Sequence, residues 1–154
     1  MEKYVYRKAT ERDIEFISEI RLEVLKSANN IDNNVNMDNI FAKTHEYYMD
    51  SIQEENITYL AFDGIDFIGC GSICFIKLMP TYNNQTGKKA YIMNMYTREK
   101  YRRKGIGKSI LNLLIDEAKN RQIKYIQLEA TEIGKKLYLN YGFYELKNEM
   151  EIQI

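Results

Sequence analysis

The stretch Arg98-Glu99-Lys100-Tyr101-Arg102-Arg103-Lys104-Gly105-Ile106-Gly107-Lys108-Ser109 carries the densest chemistry in the chain. Residues 98–108 hold six cationic side chains against one carboxylate, a local net charge of +5 in a protein whose 22 basic and 22 acidic residues cancel. Gly105 and Gly107 fall where a β-patterned run gives way to a helical one. The first backbone N–H groups of a helix have no partner inside it, and the helix dipole presents its positive end there. Glycine lets another group approach that backbone closely. Exposed amides, a helix mouth and clustered cations together make a phosphate cradle.

Two nucleotide-binding patterns fail at a required position. Gly107-Lys108-Ser109 matches the end of a Walker A loop, but the leading glycine falls at 102, where Arg102 stands. The Rossmann fingerprint needs a third glycine at 110, which is Ile110. An ordinary helix start behind a solvated basic turn is the competing explanation; the strand-to-helix context and the dense charge favour a binding loop. Overall neutrality excludes a wholesale polyanion binder, so no nucleic-acid partner is expected.

The elements that must position this loop follow from periodicity. A short strand over 4–8 leads to Thr10, a helix N-cap with Asp13 three residues on. Ile14, Ile17, Ile20, Val24 and Leu25 then share one helical face. A second helix over 38–54 carries Ile40, Phe41, Tyr48 and Ile52. The β-branched runs 57–62 and 65–78 flank Asp63-Gly64, a hairpin signal. A strand over 90–96 precedes the basic turn and a helix over 105–121, with Ile106, Ile110, Leu113, Leu114 and Ala118 at helical spacing. The run 123–130 alternates, placing Ile126, Leu128 and Ala130 on one side and Tyr125, Gln127 and Glu129 on the other. A short helix ends near Tyr141, Gly142-Phe143 turns the chain, and one or two terminal strands run through Ile154. The strand–helix–strand unit from 90 to 130 predicts a right-handed parallel crossover. The fold class is therefore α/β in the mixed, α+β sense: an antiparallel hairpin and a parallel pair in one sheet, covered by helices.

At 154 residues the chain is close to the ~150 of a typical domain, so 1–154 reads as one domain. A composition of 45% hydrophobic and 29% charged residues with one proline excludes collagen-like and broadly disordered classes. Cys70 and Cys74 would share a strand face about 13 Å apart, beyond disulfide reach, as in a reduced protein. The first residues lack a signal-peptide core, and no run approaches the ~18 apolar residues of a membrane span. No membrane partner and a cytoplasmic location are expected. His45, the single histidine, has no ligand partner nearby in sequence, so no metal is assigned.

Arg102-x-x-Gly105-x-Gly107, after a strand and opening an amphipathic helix, resembles the coenzyme A pyrophosphate loop of the GNAT N-acetyltransferase superfamily, whose pattern is Gln/Arg-x-x-Gly-x-Gly/Ala. Further on, Leu137-Tyr138-Leu139-Asn140-Tyr141-Gly142-Phe143 is similar to that family's second signature, a helix carrying Leu-Tyr before a Gly-Phe turn. The order of elements matches as well, so the resemblance covers essentially the whole chain.

The resemblance implies a mostly antiparallel sheet of about 6–7 strands whose parallel pair splays apart, flanked by about four helices. It implies acetyl-CoA as cosubstrate and transfer to a primary amine of a small molecule or peptide. Met95, Tyr96 and Thr97 would offer backbone groups to pantetheine and the acetyl carbonyl. Arg102, Arg103, Lys104, Gly105, Ile106, Gly107 and Lys108 would wrap the pyrophosphate. Tyr138 matches the family's general acid, which protonates the leaving thiolate. Some relatives place a glutamate general base on the strand before the loop; the matching residue here is Tyr91, so Glu129 or a water chain is expected to take the amine's proton. The first two helices and their loop would cover the acceptor, supplying Asn29, Asn30, Asn33, Asn34, Tyr47 and Tyr48. A homodimer is the assembly common among relatives. The alternative is a non-catalytic acyl-CoA-binding sensor or interaction module on the same fold.

Overall fold

The computed structural model describes residues 3–154. In chain order the elements are β1 (Val5–Lys8), a 3-10 turn (Glu11–Asp13), α1 (Ile14–Asn29), α2 (Asp38–Ser51), β2 (Asn56–Asp63) and β3 (Asp66–Lys77). They continue with β4 (Lys88–Thr97), a second 3-10 turn (Glu99–Tyr101), α3 (Ile106–Asn120), β5 (Ile126–Leu128) and α4 (Glu132–Tyr141). The strands form one sheet in the order β1-β2-β3-β4-β5. The first three pairings are antiparallel and β4–β5 is parallel, as the crossover rule requires.

Two apolar layers sandwich the sheet. On one face α3 buries Ile106, Ile110, Leu111, Leu114, Ile115 and Ala118 against Ile68, Ile73, Ala90 and Ile92. Each fully buried Ile or Leu contributes roughly 1.5–3 kcal/mol through apolar burial. On the other face Ile14, Ile17, Ile20 and Val24 of α1 and Tyr48 of α2 pack on Leu60, Phe67 and Cys70. β3 serves both layers: from Cys70 onward, alternation turns Cys70 to the α1–α2 side and Gly71 and Ile73 to α3. The irregularity opposite Ala61/Phe62 leaves Ile68 unpaired in the β2–β3 register and sets it on the α3 side too. Gly71 lets α3 come close, because a Cβ there would stand 2.5 Å from Met95 Sδ and 2.6 Å from Ile110 Cγ2.

The local signals resolve in physical terms. Thr10 and Asp13 form a reciprocal cap, the Thr10 N–H donating to Asp13 Oδ2 at 2.8 Å, at the head of the 3-10 turn that leads into α1. Asp63 and Asp66 pair across Gly64-Ile65, and Gly64 takes φ +61°, the left-handed conformation such a two-residue turn demands. Cys70 and Cys74 are both free thiols: Cys70 Sγ donates to the Asn94 carbonyl at 3.3 Å, and Cys74 Sγ lies 3.2 Å from the Tyr47 hydroxyl.

The expected count of about 6–7 strands is corrected to a five-stranded sheet. The difference lies at the C-terminal edge. β5 spans only Ile126–Leu128, and no strand forms after α4 among the described residues. Met150, Ile152 and Ile154 alternate with polar residues as a strand would, yet they are 97%, 85% and 117% exposed. Alternation without a layer to bury its apolar side supplies no driving force for pairing. α2 likewise stops at Ser51, ahead of the expected Glu54.

Candidate active site

The site begins where two parallel strands part. β4 and β5 pair at Ala90–Ile126, Tyr91–Gln127 and Ile92–Leu128, and the ladder ends there. Beyond it β4 stays paired to β3 but turns a free edge toward β5 over residues 93–97. Within that free stretch lies a bulge. Ser72 pairs with Met93 and Cys70 with Tyr96, so Gly71 faces both Asn94 and Met95. Asn94 takes φ +60°, a left-handed conformation that asparagine tolerates better than most residues. Its side chain accepts a hydrogen bond from Arg21 Nη1 at 3.1 Å. The bulge re-aims the last residues of β4: Met95 packs toward α3, while the Tyr96 hydroxyl donates to Glu23 of α1 at 3.0 Å.

The glycine-bearing turn comes directly after β4. The first amide of α3 with a backbone acceptor is that of Ser109, which bonds the Gly105 carbonyl at 3.0 Å. The amides of Arg103, Lys104, Gly105, Ile106, Gly107 and Lys108 have no acceptor among the described residues. Arg103 and Gly105 take φ +59° and +83°, which curls the segment into a concave run of N–H groups at a helix N-terminus. Gly105 has open space around its Cβ position and is glycine for its backbone angle. At Gly107 a Cβ would meet Leu137 Cδ2 at 3.4 Å and Thr97 Oγ1 at 4.0 Å, so the mouth of α3, the end of β4 and α4 converge there.

The surrounding cations are not equivalent. Lys100 and Lys104 stack over the buried Tyr101 ring, their Nζ atoms 5.0 and 5.1 Å from its centroid. Arg102 Nε donates to the Thr97 carbonyl at 3.1 Å, bracing the turn. Arg98 points away from the turn and grips Glu23 with two hydrogen bonds of 2.9 Å.

Tyr138 lies on α4, whose N-cap Thr131 accepts from the Gly134 N–H at 3.2 Å and whose C-cap is Gly142 at φ +117°. The Tyr138 residue is 8% exposed and its ring meets Phe143 edge-on at 5.8 Å. The Gly142-Phe143 turn therefore packs the tyrosine in place. Its hydroxyl has no hydrogen-bond partner among the described residues and is not fully enclosed, so it opens to solvent-accessible space. Burial pushes the phenol above its ordinary value, which keeps it protonated at neutral pH.

Glu129 is exposed, one residue past the end of β5. Its charge acts on Tyr91, as do those of Glu149 and Glu151 of the C-terminal segment, and burial raises that phenol first. His45 stands 3.5 Å from Glu15 across the α1–α2 pair.

An open cleft of about 500 Å³ lies between α1, the segment after it and β4, lined by residues that include Glu23, Lys26, Asn33 and Tyr96. Burial and the Glu23 carboxylate push the Tyr96 phenol up to about 12. Of the expected acceptor-side residues, Asn33 reaches this cleft. Tyr48 is buried beside Thr58 and Ser72, and the Tyr47 hydroxyl is taken up with Cys74 and Asn56. Those two tyrosines serve the packing of α2 on the sheet.

Three participants escaped sequence reasoning. Asn94 carried a signal, since asparagine inside an apolar, aromatic-bearing strand run is a poor strand former and a good left-handed one. Arg21 and Glu23 carried none, because their partners lie more than seventy residues along the chain.

The chain matches the model of the Acetyltransferase (GNAT) family over residues 19–143. A Bacillus subtilis (strain 168) protein named uncharacterized N-acetyltransferase YsnE is 29% identical over 105 residues, covering 64% of each protein; the chain thus spans just under two thirds of that relative's length. A Clostridium acetobutylicum protein described as a predicted acetyltransferase, whose crystal structure contains acetyl-CoA, superposes with a TM-score of 0.89 at 32% identity, over 97% of this chain and 96% of that one. A GCN5-related N-acetyltransferase from Ralstonia eutropha JMP134 shares the fold, with a TM-score of 0.85 at 21% identity over 98% of both chains.

Proposed function

The chain belongs to the GNAT acetyltransferase family, and from that premise we propose that it transfers the acetyl group of acetyl-CoA to a primary amine of a small molecule or peptide. One observation carries the reading: the β4–β5 ladder ends at Ile92–Leu128, and the free β4 edge leads through the second 3-10 turn into six amides with no partner among the described residues. A long ligand with a diphosphate at one end and a thioester at the other fits that sequence of features. The acetyl-CoA seen in the Clostridium acetobutylicum structure supports the same choice.

The roles follow from chemistry. Arg103 through Lys108 bind the diphosphate through main-chain amides, with Arg103, Lys104 and Lys108 adding charge and Arg102 bracing the turn. Main-chain groups of Met95, Tyr96 and Thr97 hold the pantetheine arm as a further strand would, and an N–H on the free edge polarises the thioester carbonyl. The acceptor amine forms the new C–N bond as the C–S bond breaks. Tyr138 then gives its proton to the departing thiolate, and the proton shed by the amine passes to Glu129 or through water to solvent.

Incubation of the protein and acetyl-CoA with a panel of primary amines, followed by free thiol release, tests this reading. Amine-dependent thiol release with the matching acetylated product is expected. Acetyl-CoA binding without transfer to any amine would overturn it in favour of an acyl-CoA sensor.

A further inference from the structure

We infer that Arg21 of α1 is an anion anchor of the acceptor site, so that the amine acetylated here also bears an oxyanion, a carboxylate or phosphate, a few bonds from its nitrogen; this rests on the transferase reading above. Arg21 is half-buried and forms no ion pair among the described residues. Its one side-chain hydrogen bond among them, from Nη1 to Asn94 Oδ1 at 3.1 Å, goes to a neutral amide and leaves most of its five N–H donors without a protein acceptor. A guanidinium held partly out of water gains most from a charged, two-oxygen partner, and the fork shape of arginine selects carboxylate or phosphate.

Position gives this cation its meaning. Asn94 forms the bulge on the free β4 edge, so the Arg21 guanidinium lies beside the point where an acetyl group would be presented. The hydrogen bond to Asn94 seats it between α1 and β4, and its charge is felt by Tyr48 and by Cys70. The carboxylate nearby cannot answer it. Glu23 is committed, with Tyr96 and Arg98 Nε on one oxygen and Arg98 Nη2 on the other. Glu23 thus has its countercharge in Arg98, while Arg21 has none among the described residues.

The experiment compares matched acceptors: free amino acids against their carboxamides, and phosphoethanolamine against ethanolamine. Specificity constants for acetylation are measured with the wild type, Arg21→Gln and Arg21→Lys, after thermal melts establish that the variants fold. The wild type should prefer the oxyanion-bearing member of a pair by about tenfold or more, the scale of a charged hydrogen-bond pair. Arg21→Gln should collapse that ratio toward one, and Arg21→Lys should restore part of it. The two pairs of compounds separate carboxylate from phosphate recognition. Equal use of charged and neutral amines by the wild type overturns the inference. So does a ratio that survives Arg21→Gln, because an arginine that merely braced Asn94 would slow both members of a pair alike. If no amine is acetylated, the transferase reading fails by itself. Anchoring is then decided by calorimetric binding of the same compounds, which Arg21→Gln must weaken for the anions alone.

Discussion

The Tyr96 hydroxyl and the Glu23 carboxylate meet at 3.0 Å, and through that contact α1 is fastened to the end of the strand that carries the bulge. Arg98 completes the fastening, with Nε and Nη2 each 2.9 Å from a Glu23 oxygen and Nη1 on the Phe67 carbonyl at 2.9 Å. Hydrogen bonding from Arg98 holds the Glu23 carboxyl below its ordinary value of 4.5, against the opposing effect of burial. A carboxyl with a lowered folded value stabilises the fold above the unfolded value and loses that contribution as pH falls through the folded one. Glu23→Gln is therefore expected to melt below the wild type at neutral pH, and the gap should narrow once the pH drops under 4.5. Thermal melts across that range check it; a constant gap would show that the charge of Glu23 is not what stabilises.

Tyr138→Phe removes a hydroxyl that has no partner among the described residues and leaves its ring packing on Phe143 intact. Turnover should fall on the order of a hundredfold, the scale of lost general-acid catalysis, while the affinity for acetyl-CoA stays within a few fold. Since burial raises this phenol, no loss of rate from its ionisation is expected below its ordinary value of 10.0. A pH–rate profile of wild type beside variant reads both effects.

Arg103 and Lys104 have no carboxylate partner among the described residues and border the unpartnered amides. Arg103→Gly keeps the φ +59° backbone available while deleting the charge, and Lys104→Ala deletes the second. The double variant should bind acetyl-CoA roughly tenfold more weakly, and its binding should respond less to added salt than that of the wild type. Calorimetry at two ionic strengths measures both.

Gly71→Ala would drive a methyl to 2.5 Å from Met95 Sδ and 2.6 Å from Ile110 Cγ2. Overpacking of this kind costs about 1–3 kcal/mol, because α3 and the bulge must both give way. A melting temperature lowered by several degrees is expected, together with weaker acetyl-CoA binding. An unaltered melt would mean that the helix yields freely.

Much of this architecture is legible in the sequence, for reasons that can be named residue by residue. Asp63-Gly64 announces the hairpin because few residues accept φ +61°. The stripe from Ile106 to Ala118 announces α3 because its buried face repeats with helical period. Gly105 announces the turn, since its φ of +83° is costly for other residues. The hidden part is long-range. Nothing near Arg21 or Glu23 in sequence shows which one finds a countercharge, because Arg98 and Asn94 are delivered by the folded sheet. The terminal segment misled for the converse reason: Met150, Ile152 and Ile154 alternate as a strand does, but alternation shows which side would be buried and not whether anything covers it.

The ladder that stops at Ile92–Leu128 leaves the molecule with an unfinished rim inside its own sheet rather than at the outside of it. On the transferase reading, a guest lying along Met93–Thr97 would take the place a neighbouring ribbon of chain would occupy, and would be recognised through main-chain groups that every residue possesses. The side chains along that rim are then left for other work: Tyr96 fastens α1 through Glu23, and Asn94 holds Arg21. What the rim would ask of the chain is backbone shape, and a choice among acceptors would then fall to the neighbouring α1.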